Sequence, residues 1–155
     1  DTLAPPNTAQ TRINALVELM KTETAGGERL IDNPIYKDRL MKIQGRVLAM
    51  KYNDMRVLSS RLNPGQDASL SRMITKLQGT ELRHELEGLA IDIMGEVGLS
   101  YDDNPHLRGA GSWQREYMYY LGLIIGGGTS QIQKNIISER GLGMPREPKI
   151  EKKAV

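Results

Sequence analysis

The sequence predicts an all-α fold, an antiparallel bundle of about four to five helices. Apolar residues recur at helical spacing through most of the 155-residue chain, and glycine, proline and capping residues divide it into helix-length segments. No stretch alternates apolar and polar residues for long enough to predict a strand. The length suits one domain with a hydrophobic core. We therefore expect residues 1–145 to form a single helical domain and residues 146–155 to form a polar tail.

Two helices are predicted in the N-terminal half. The first covers residues 8–23, where four apolar side chains lie at helical spacing before a Gly-Gly pair ends the pattern. Asn33 followed by Pro34 combines a capping residue with a proline at the first helical position, so the second helix begins there and runs to the Asn-Pro-Gly break at residues 63–65. The apolar positions of the second helix are Tyr36, Leu40, Ile43, Val47, Met50, Met55, Leu58 and Leu62.

A third helix is predicted from about Asp67 to Met94. Its apolar stripe changes face midway, which predicts contacts with two neighbouring elements. Residues 95–111 are expected to form a loop, because glycine, aspartate, asparagine and proline crowd this short stretch.

Two further helices follow this loop. Ser112 is expected to cap a helix over residues 113–125, which a run of three glycines then ends. Ser130 and Gln133 have the spacing of a capping box, which predicts a last helix that ends near Gly141.

Composition excludes several classes of function. Four basic and two acidic side chains fall in the last ten residues, which accounts for the formal net charge of +2 and leaves the rest of the chain neutral. A neutral body lacks the basic surface that phosphate-backbone binding needs, so nucleic acid is not an expected partner. The absence of cysteine excludes disulfides, thiolate metal sites and a cysteine nucleophile, and it suits a cytoplasmic protein. The longest apolar run, residues 117–125, is too short to predict a membrane span.

The most informative local feature is the glycine run at residues 126–128, followed by Thr129, Ser130 and Gln131. A glycine-rich turn that leads into a helix exposes backbone N–H groups and the positive end of the helix dipole to an anion. Thr129 and Gln131 add side chains able to hydrogen-bond a ligand. The simpler interpretation is a tight turn between two helices, and local physics favours it.

A metal site is a second hypothesis for a functional centre. Glu81 and His84 have the Glu-x-x-His spacing of di-iron helical bundles, which puts both side chains on one helix face. The other histidine, His106, lies in the predicted loop, so a second copy of the motif is missing. We therefore expect no metal, and we expect His84 to lie on the helix surface or in a polar part of the core.

Aromatic and methionine residues are expected to serve packing. Trp113, Tyr117, Tyr120 and Ile124 form one stripe on the fourth predicted helix, which is typical of a packed face. Several methionines lie on the long helices, where the default prediction is an intramolecular core position and the alternative is a contact between subunits. They include Met41, Met50, Met55, Met73 and Met94.

Residues 125–146, Ile-Gly-Gly-Gly-Thr-Ser-Gln-Ile-Gln-Lys-Asn-Ile-Ile-Ser-Glu-Arg-Gly-Leu-Gly-Met-Pro-Arg, resemble the C-terminal signature of flavin-dependent acyl-CoA dehydrogenases. The match includes both the glycine turn and the closing Leu-Gly-Met-Pro-Arg. The order of the upstream helices is also similar to that of the family's C-terminal helical domain, so the resemblance covers nearly the whole chain. Full family subunits also have an N-terminal helical domain and a middle β-barrel domain. The chain is therefore expected to be the last third of such a subunit.

The resemblance implies an activity and a cofactor. The family's reaction is the α,β-dehydrogenation of an acyl-CoA thioester, in which a glutamate removes the α-proton and FAD accepts the β-hydrogen as hydride. Electron-transfer flavoprotein or a similar protein is the implied electron acceptor. By their place in the motif, Gly128, Thr129 and Gln131 are the implied cofactor-binding residues: Gly128 keeps the turn open, and Thr129 and Gln131 hydrogen-bond FAD. A homo-oligomer or a heteromeric assembly is also implied.

Several positions depart from the family pattern. Gly127 occupies the position at which many members carry the catalytic glutamate, and residues 2–8, which correspond to the alternative position of the base, contain no glutamate. No catalytic residue is therefore assigned. The family's Arg-x-x-Phe-Gly flavin segment has no counterpart before Gln44, and its Gln-Ile-Leu-Gly-Gly motif corresponds to Asp-Ile-Met-Gly-Glu at residues 92–96. Glu96 would place a carboxylate beside the flavin pyrophosphate, where like charges repel.

Three hypotheses for the function follow. The first is the C-terminal domain of an FAD-dependent acyl-CoA dehydrogenase-like oxidoreductase, which contributes to FAD binding and oligomerisation. The second is a catalytically inactive partner or oligomerisation subunit of a heteromeric acyl-CoA dehydrogenase, which Gly127 and the altered flavin motifs favour. The third is a metal-carboxylate bundle around Glu81 and His84.

Overall fold

The computed structural model of the protein describes residues 7–63, 65, 67–146 and 148, and these residues confirm the all-α prediction. The helices are α1 (Asn7–Thr22), α2 (Pro34–Leu62), α3 (Ser69–Met94), α4 (Ser112–Ile125) and α5 (Ser130–Ile136), and a π-helical turn, Ile137–Gly141, continues α5. None of the helices in this part of the chain has both the length and the apolarity needed to cross a bilayer. Apart from residues 146 and 148, the predicted polar tail lies outside the described residues.

A short hairpin separates the first two helices, where the sequence predicted no strand. β1 (Thr24–Ala25) pairs antiparallel with β2 (Glu28–Arg29). Gly26 and Gly27 between them have φ values of +61° and +87°, which a two-residue hairpin turn requires and glycine adopts readily. Strands of two residues are too short to leave an alternating pattern, so the sequence could not reveal them.

The predicted start of α2 is confirmed. The Asn33 side chain accepts hydrogen bonds from the backbone N–H groups of Ile35 (3.0 Å) and Tyr36 (3.3 Å), and Pro34 occupies the first helical position. These bonds satisfy two of the donors that a helix leaves unpaired at its N-terminus.

α2 and α3 run antiparallel. Arg39, near the start of α2, pairs with Asp92 near the end of α3 at 2.7 Å. At the opposite ends of the two helices, Asn53 Nδ2 donates to the backbone oxygen of Ser71 at 3.0 Å.

The hydrophobic core lies around α3, which contacts α1, α2, α4 and α5. Its apolar stripe indeed changes face, and it serves more neighbours than the two that the sequence predicted. The buried apolar residues of the core are Ile13, Leu16, Leu19, Met20, Leu30, Leu40, Ile43, Val47, Leu82, Leu86, Leu89, Ala90, Ile93, Met94 and Trp113.

A buried ion network joins α1, α3 and α4. The Glu87 side chain is fully buried and lies between Arg12 of α1 and Arg83 of its own helix. Arg12 Nη2 donates to Glu87 Oε2 at 2.7 Å, and Arg83 Nη2 donates to Glu87 Oε1 at 3.1 Å. Arg83 Nη2 also lies 3.3 Å from Glu116 Oε2 of α4. Two guanidinium groups thus compensate a carboxylate that burial alone would strongly destabilise.

Aromatic rings of α4 cover this network. The Arg12 guanidinium lies 3.5 Å from the ring centroid of Trp113, and that of Arg83 lies 4.6 Å from the ring centroid of Tyr120. Both distances are within the range of cation–π attraction. Burial raises the pKa of the Tyr120 phenol, so this ring stays neutral at physiological pH. Trp113 is buried, as its predicted stripe requires, whereas Tyr117 and Tyr120 are half-buried.

The predicted cap of α4 is wrong by one residue. Gly111 is the N-cap and has φ +74°, while Ser112 already has helical dihedral angles. The Ser112 hydroxyl instead accepts a long hydrogen bond of 3.5 Å from Arg12 Nη1. The predicted loop at residues 95–111 contains two short 3₁₀ turns, Gly95–Leu99 and Arg108–Gly111.

The outward face of α2 carries large apolar side chains that no described residue covers. Met41 is 58% exposed and Met55 is 50% exposed, so the default prediction of a core position is wrong for both. The inner face of α2, with Leu40, Ile43 and Val47, already fills the contact with the core.

Substitution within the ion network should lower the free energy of unfolding more than substitution within an exposed ion pair. Glu87→Gln removes the charge that compensates the buried guanidinium group of Arg83 and the half-buried one of Arg12, and we expect it to lower the free energy of unfolding by about 3 kcal/mol. The matched control is Glu85→Gln on the same helix, where the exposed pair with Arg46 contributes less than about 1 kcal/mol. Urea denaturation followed by circular dichroism measures both variants. Equal losses of stability would contradict the assigned role of Glu87.

Candidate functional site

The candidate site is the turn that joins α4 to α5. Gly126 ends α4, and Gly127 and Gly128 follow with φ values of +69° and +101°. Both values lie in the region that favours glycine, which explains the glycine run. A Cβ atom built on Gly128 would lie 2.9 Å from Gln133 Nε2 and 3.4 Å from Ile132 Cγ2. The turn can therefore hold no side chain at Gly128 without moving its neighbours.

Thr129, and not Ser130, caps the last helix. Its hydroxyl oxygen accepts from the backbone N–H of Ile132 at 3.3 Å, and Ser130 is the first helical residue. The predicted capping box is therefore wrong. Gln133 Nε2 donates to the backbone oxygen of Gly127 at 2.7 Å, so this side chain closes the turn.

Lys76 of α3 contacts the turn, and no pattern in the sequence predicts this contact. Its Nζ donates to the backbone oxygens of Gly128 (2.5 Å) and Ile124 (3.2 Å). The ammonium group thereby faces carbonyl groups at the C-terminal end of α4, where the helix dipole is negative. The partners are 48 and 52 residues away along the chain, so periodicity along the sequence does not reveal the contact.

The three predicted ligand-binding residues lie together on this turn. Gly128 and Thr129 are half-buried, and Gln131 is exposed. The Gln131 side chain has no polar partner among the described residues, whereas the Thr129 oxygen is engaged in capping and keeps its own proton free to donate.

Gly127 supplies no chemistry of its own. A Cβ atom at this position would lie 3.9 Å from Lys76 Cε, so a side chain here would project beside the lysine. Among the described residues, no carboxylate forms a hydrogen bond with residues 126–133 in place of the missing side chain.

A second segment of interest, residues 92–96, lies at the other end of α3. Asp92 pairs with Arg39 at 2.7 Å, Gly95 has φ +56°, and Glu96 is exposed. Asp92 is 16 residues beyond Lys76, which at about 1.5 Å per residue separates the two positions by roughly 24 Å along the helix axis.

The Glu81–His84 hypothesis gains no support from the structure. His84 Nδ1 lies 3.2 Å from the backbone oxygen of Tyr117, and the two rings stack with centroids 4.2 Å apart. In the described part of the chain, no three His, Asp or Glu side chains form a group that could hold a metal ion. His84 thus lies in a partly buried polar contact between α3 and α4.

Comparison with known families matches residues 4–142 to the acyl-CoA dehydrogenase C-terminal domain. The chain belongs to the acyl-CoA dehydrogenase family. This match includes all five helices and the glycine turn.

Relatives of known identity agree with this assignment. The chain is 34% identical over 134 residues to acyl-CoA dehydrogenase IpdE1 of Mycolicibacterium smegmatis. The matched region is 86% of this chain and 30% of that protein. It is 31% identical over 128 residues to acyl-CoA dehydrogenase FadE26 of Mycobacterium tuberculosis, with 81% and 32% covered. The chain spans about a third of the length of these relatives.

A solved structure shows the same fold. The crystal structure of the ChsE4-ChsE5 complex from Mycobacterium tuberculosis contains a chain that matches with a TM-score of 0.78 and 27% identity. The match covers 94% of this chain and 38% of that one.

The acyl-CoA dehydrogenase family uses FAD, and the residues of the two segments fit this cofactor unequally. At the α4–α5 turn, Gly128 carries no side chain, Gln131 is exposed and unpaired among the described residues, and Lys76 contributes positive charge. This combination suits a polar, anionic cofactor. At residues 92–96, two carboxylates are present and Arg39 already binds one of them, so this segment does not fit a pyrophosphate.

The lysine contact makes the turn testable without a cofactor. Lys76→Met keeps the side-chain stem and the helix propensity but removes both hydrogen bonds to the turn. We expect amide hydrogen exchange of residues 126–130 to accelerate about tenfold, which corresponds to roughly 1.4 kcal/mol of lost protection.

The control for this measurement is Lys134→Met, since Lys134 is an exposed lysine of α5. Its exchange profile should match that of the unmodified protein. If both variants exchange alike over residues 126–130, Lys76 does not hold the turn.

Proposed function

We propose that this chain is the C-terminal helical domain of an FAD-dependent acyl-CoA dehydrogenase-like oxidoreductase, which contributes to FAD binding and to oligomerisation. The complete protein would carry out the α,β-dehydrogenation of an acyl-CoA thioester in the cytoplasm and pass electrons to electron-transfer flavoprotein or a similar acceptor. Bound FAD would supply the hydride acceptor. The family membership of the chain supports this proposal, together with the geometry of one turn.

The observation that carries the proposal is the conformation of the α4–α5 turn. Gly128, at φ +101°, adopts a conformation that glycine favours and places no side chain of its own between the backbone and a ligand. Thr129 has a hydroxyl proton to donate, and the exposed Gln131 amide can both donate and accept. In this proposal the three residues orient the cofactor, and Lys76 holds the turn in the conformation that binds it.

These residues perform no proton transfer. Gly127 has no side chain to act as a base, so the α-proton must be taken by a carboxylate supplied elsewhere in the assembly. The role of this domain is then to bind, to orient and to exclude water from the cofactor, and removal of the proton is left to another segment or another subunit.

A second candidate is a catalytically inactive partner subunit of a heteromeric acyl-CoA dehydrogenase. Two observations favour it: the absence of a side chain at Gly127, and the Arg39–Asp92 ion pair in the segment where the flavin motif is altered. The matched solved structure is described as a complex of ChsE4 with ChsE5. A chain of this kind would complete a site whose base belongs to its partner.

The visible spectrum of the purified full-length protein separates the two candidates. It should be recorded anaerobically with and without a panel of acyl-CoA thioesters. Flavin absorbance that bleaches with a thioester supports the dehydrogenase proposal and identifies the substrate class. A protein that stays colourless after addition of FAD contradicts flavin binding by this subunit alone and favours the partner-subunit candidate.

Substitution at Gly128 tests the proposed cofactor contact. Gly128→Ala adds a Cβ atom at φ +101°, and we expect a loss of FAD affinity of a few-fold from strain and crowding. Gly128→Asp adds the same strain and a carboxylate beside the cofactor phosphates, so we expect a further loss of about tenfold. Flavin fluorescence titration of the full-length protein measures both constants. Equal affinities for the alanine and aspartate variants would argue against phosphates near this turn.

For the altered segment at residues 92–96 we predict the opposite effect, a gain in FAD affinity on substitution. The double variant Asp92→Gln, Glu96→Gly removes two carboxylates and releases Arg39, so we expect FAD to bind roughly threefold to tenfold more tightly. The control is Glu85→Gln, which removes an acid from the exposed face of the same helix. An unchanged dissociation constant in the double variant would show that FAD does not approach this segment.

A further inference from the structure

The connection between α3 and α4 ends in a left-handed turn. Gly109, Ala110 and Gly111 follow one another with φ values of +56°, +50° and +74°, and Gly111 is the N-cap of α4. The chirality of the amino acids disfavours this conformation for every residue except glycine. We call residues 100–111, which end in this turn, the strap.

Ala110 is the strained residue of the strap. Among the described residues only Asp103 and Ala110 combine a side chain with a positive φ, and both lie in the strap. Aspartate visits the left-handed region several-fold more often than most residues, whereas alanine has no polar group to stabilise it there. A strained residue of this kind persists only where neighbouring contacts hold it in place.

An ion pair at the start of the turn is one such contact. Arg108 Nε donates to Glu23 Oε1, and Arg108 Nη2 lies 3.4 Å from Glu23 Oε2, so the guanidinium group meets both carboxylate oxygens. Arg108 Nη1 donates to the backbone oxygen of His106 at 2.9 Å. The hydrogen bond to Glu23 raises the pKa of Arg108 further above its ordinary value. We call the Arg108–Glu23 ion pair the latch.

Glu23 is a fixed anchor for the latch. It lies between the end of α1 and β1, and its backbone is bonded on both sides. Its N–H donates to the backbone oxygen of Leu19 at 2.9 Å, and its oxygen accepts from the N–H of Leu30 at 3.0 Å. The carboxylate therefore has little freedom to follow the strap, and the latch joins a firmly bonded part of the chain to a strained one.

α4 holds the other end of the turn. Arg115 Nη1 donates to the backbone oxygen of Ala110 at 2.8 Å. A Cβ atom built on Gly111 would lie 3.2 Å from both Arg115 Nη1 and the backbone oxygen of Tyr101, so the two ends of the strap approach each other closely here. The left-handed turn is thus fixed by arginine contacts on both sides, from Arg108 and from Arg115.

The closed strap lies against one end of the buried ion network. A Cβ atom built on Gly109 would lie 2.9 Å from Ser112 Oγ and 3.9 Å from Trp113 Nε1. The same two residues contact Arg12, whose Nη1 lies 3.5 Å from Ser112 Oγ and whose guanidinium group stacks on the Trp113 ring. The backbone of the strap therefore lies beside the residues that cover Arg12.

We infer that the strap is a conformational device with two states, controlled by the latch. In the closed state Glu23 holds Arg108, and Ala110 stays left-handed. When the latch is broken, Ala110 relaxes to a negative φ and the strap moves away from the start of α4, which admits water to the Arg12 end of the ion network. This inference goes beyond the proposed function, because it depends neither on flavin nor on a partner.

A series of substitutions at Ala110 tests the strain. Amide hydrogen exchange of residues 105–112 is measured by mass spectrometry in the full-length protein and corrected for intrinsic exchange rates. Ala110→Gly should slow exchange about threefold, because relief of the left-handed strain exceeds the backbone freedom that glycine adds. Ala110→Val should accelerate exchange at least tenfold, or roughly so, because a β-branched residue tolerates this conformation least. At a residue with negative φ glycine has the opposite effect, so acceleration by Ala110→Gly overturns the inference.

Substitution of Glu23 tests the latch. Glu23→Gln removes its charge, and we expect exchange of residues 105–112 to accelerate about fivefold. The matched control is Glu28→Gln in the same hairpin, an exposed acid without an ion pair among the described residues, which should leave the exchange unchanged. The double variant Glu23→Gln, Ala110→Gly should recover most of the protection, because a turn without strain no longer needs the latch.

The salt response distinguishes the latch from a general loosening of the domain. Raising the salt concentration to about 1 M should accelerate exchange of the strap in the unmodified protein and leave the Glu23→Gln variant unchanged, since salt screens the charged pair alone. Equal exchange in the Glu23→Gln and Glu28→Gln variants, a double variant as fast as Glu23→Gln, or the same salt response with and without the Glu23 charge each refutes the latched strap.

Discussion

The buried carboxylate of Glu87 is the constraint on which the arrangement of the helices depends. It lies between Arg12 and Arg83, and these guanidinium groups in turn stack on Trp113 and Tyr120 of α4. A buried charge is tolerated only when its partners are held in place, so the network ties α1, α3 and α4 to one relative position. Apolar contacts alone would restrict the sliding of one helix along another less than this network does.

α3 contacts or carries the features that bear on function. Glu87 lies in its middle, Lys76 reaches the α4–α5 turn from one part of the helix, and Asp92 pairs with Arg39 at the other end. A rigid helix of 26 residues thus fixes the distance between the turn that suits a cofactor and the segment that does not. The domain is better understood as a positioning device than as a source of reactive groups, because Gly127 provides none.

The same helix arrangement explains why α2 has two faces. Its inner face meets α3, and its outer face bears exposed apolar side chains. A helical domain that forms part of a larger family subunit has surfaces that other chains or domains can cover.

The sequence by itself determined the helices, their order and the family. Helical periodicity, Asn33 before Pro34, and the glycine run at residues 126–128 are local signals, and local signals act within a few residues of where they stand. Only the tertiary structure decided which side chains hold the α4–α5 turn and form the buried ion network. Lys76 and Glu87 look like ordinary residues of a solvated helix face in the sequence, yet one holds a turn 52 residues away and the other pairs with an arginine 75 residues away. Contacts between charged groups so distant in the chain depend on how the helices pack, which no periodicity along one helix records.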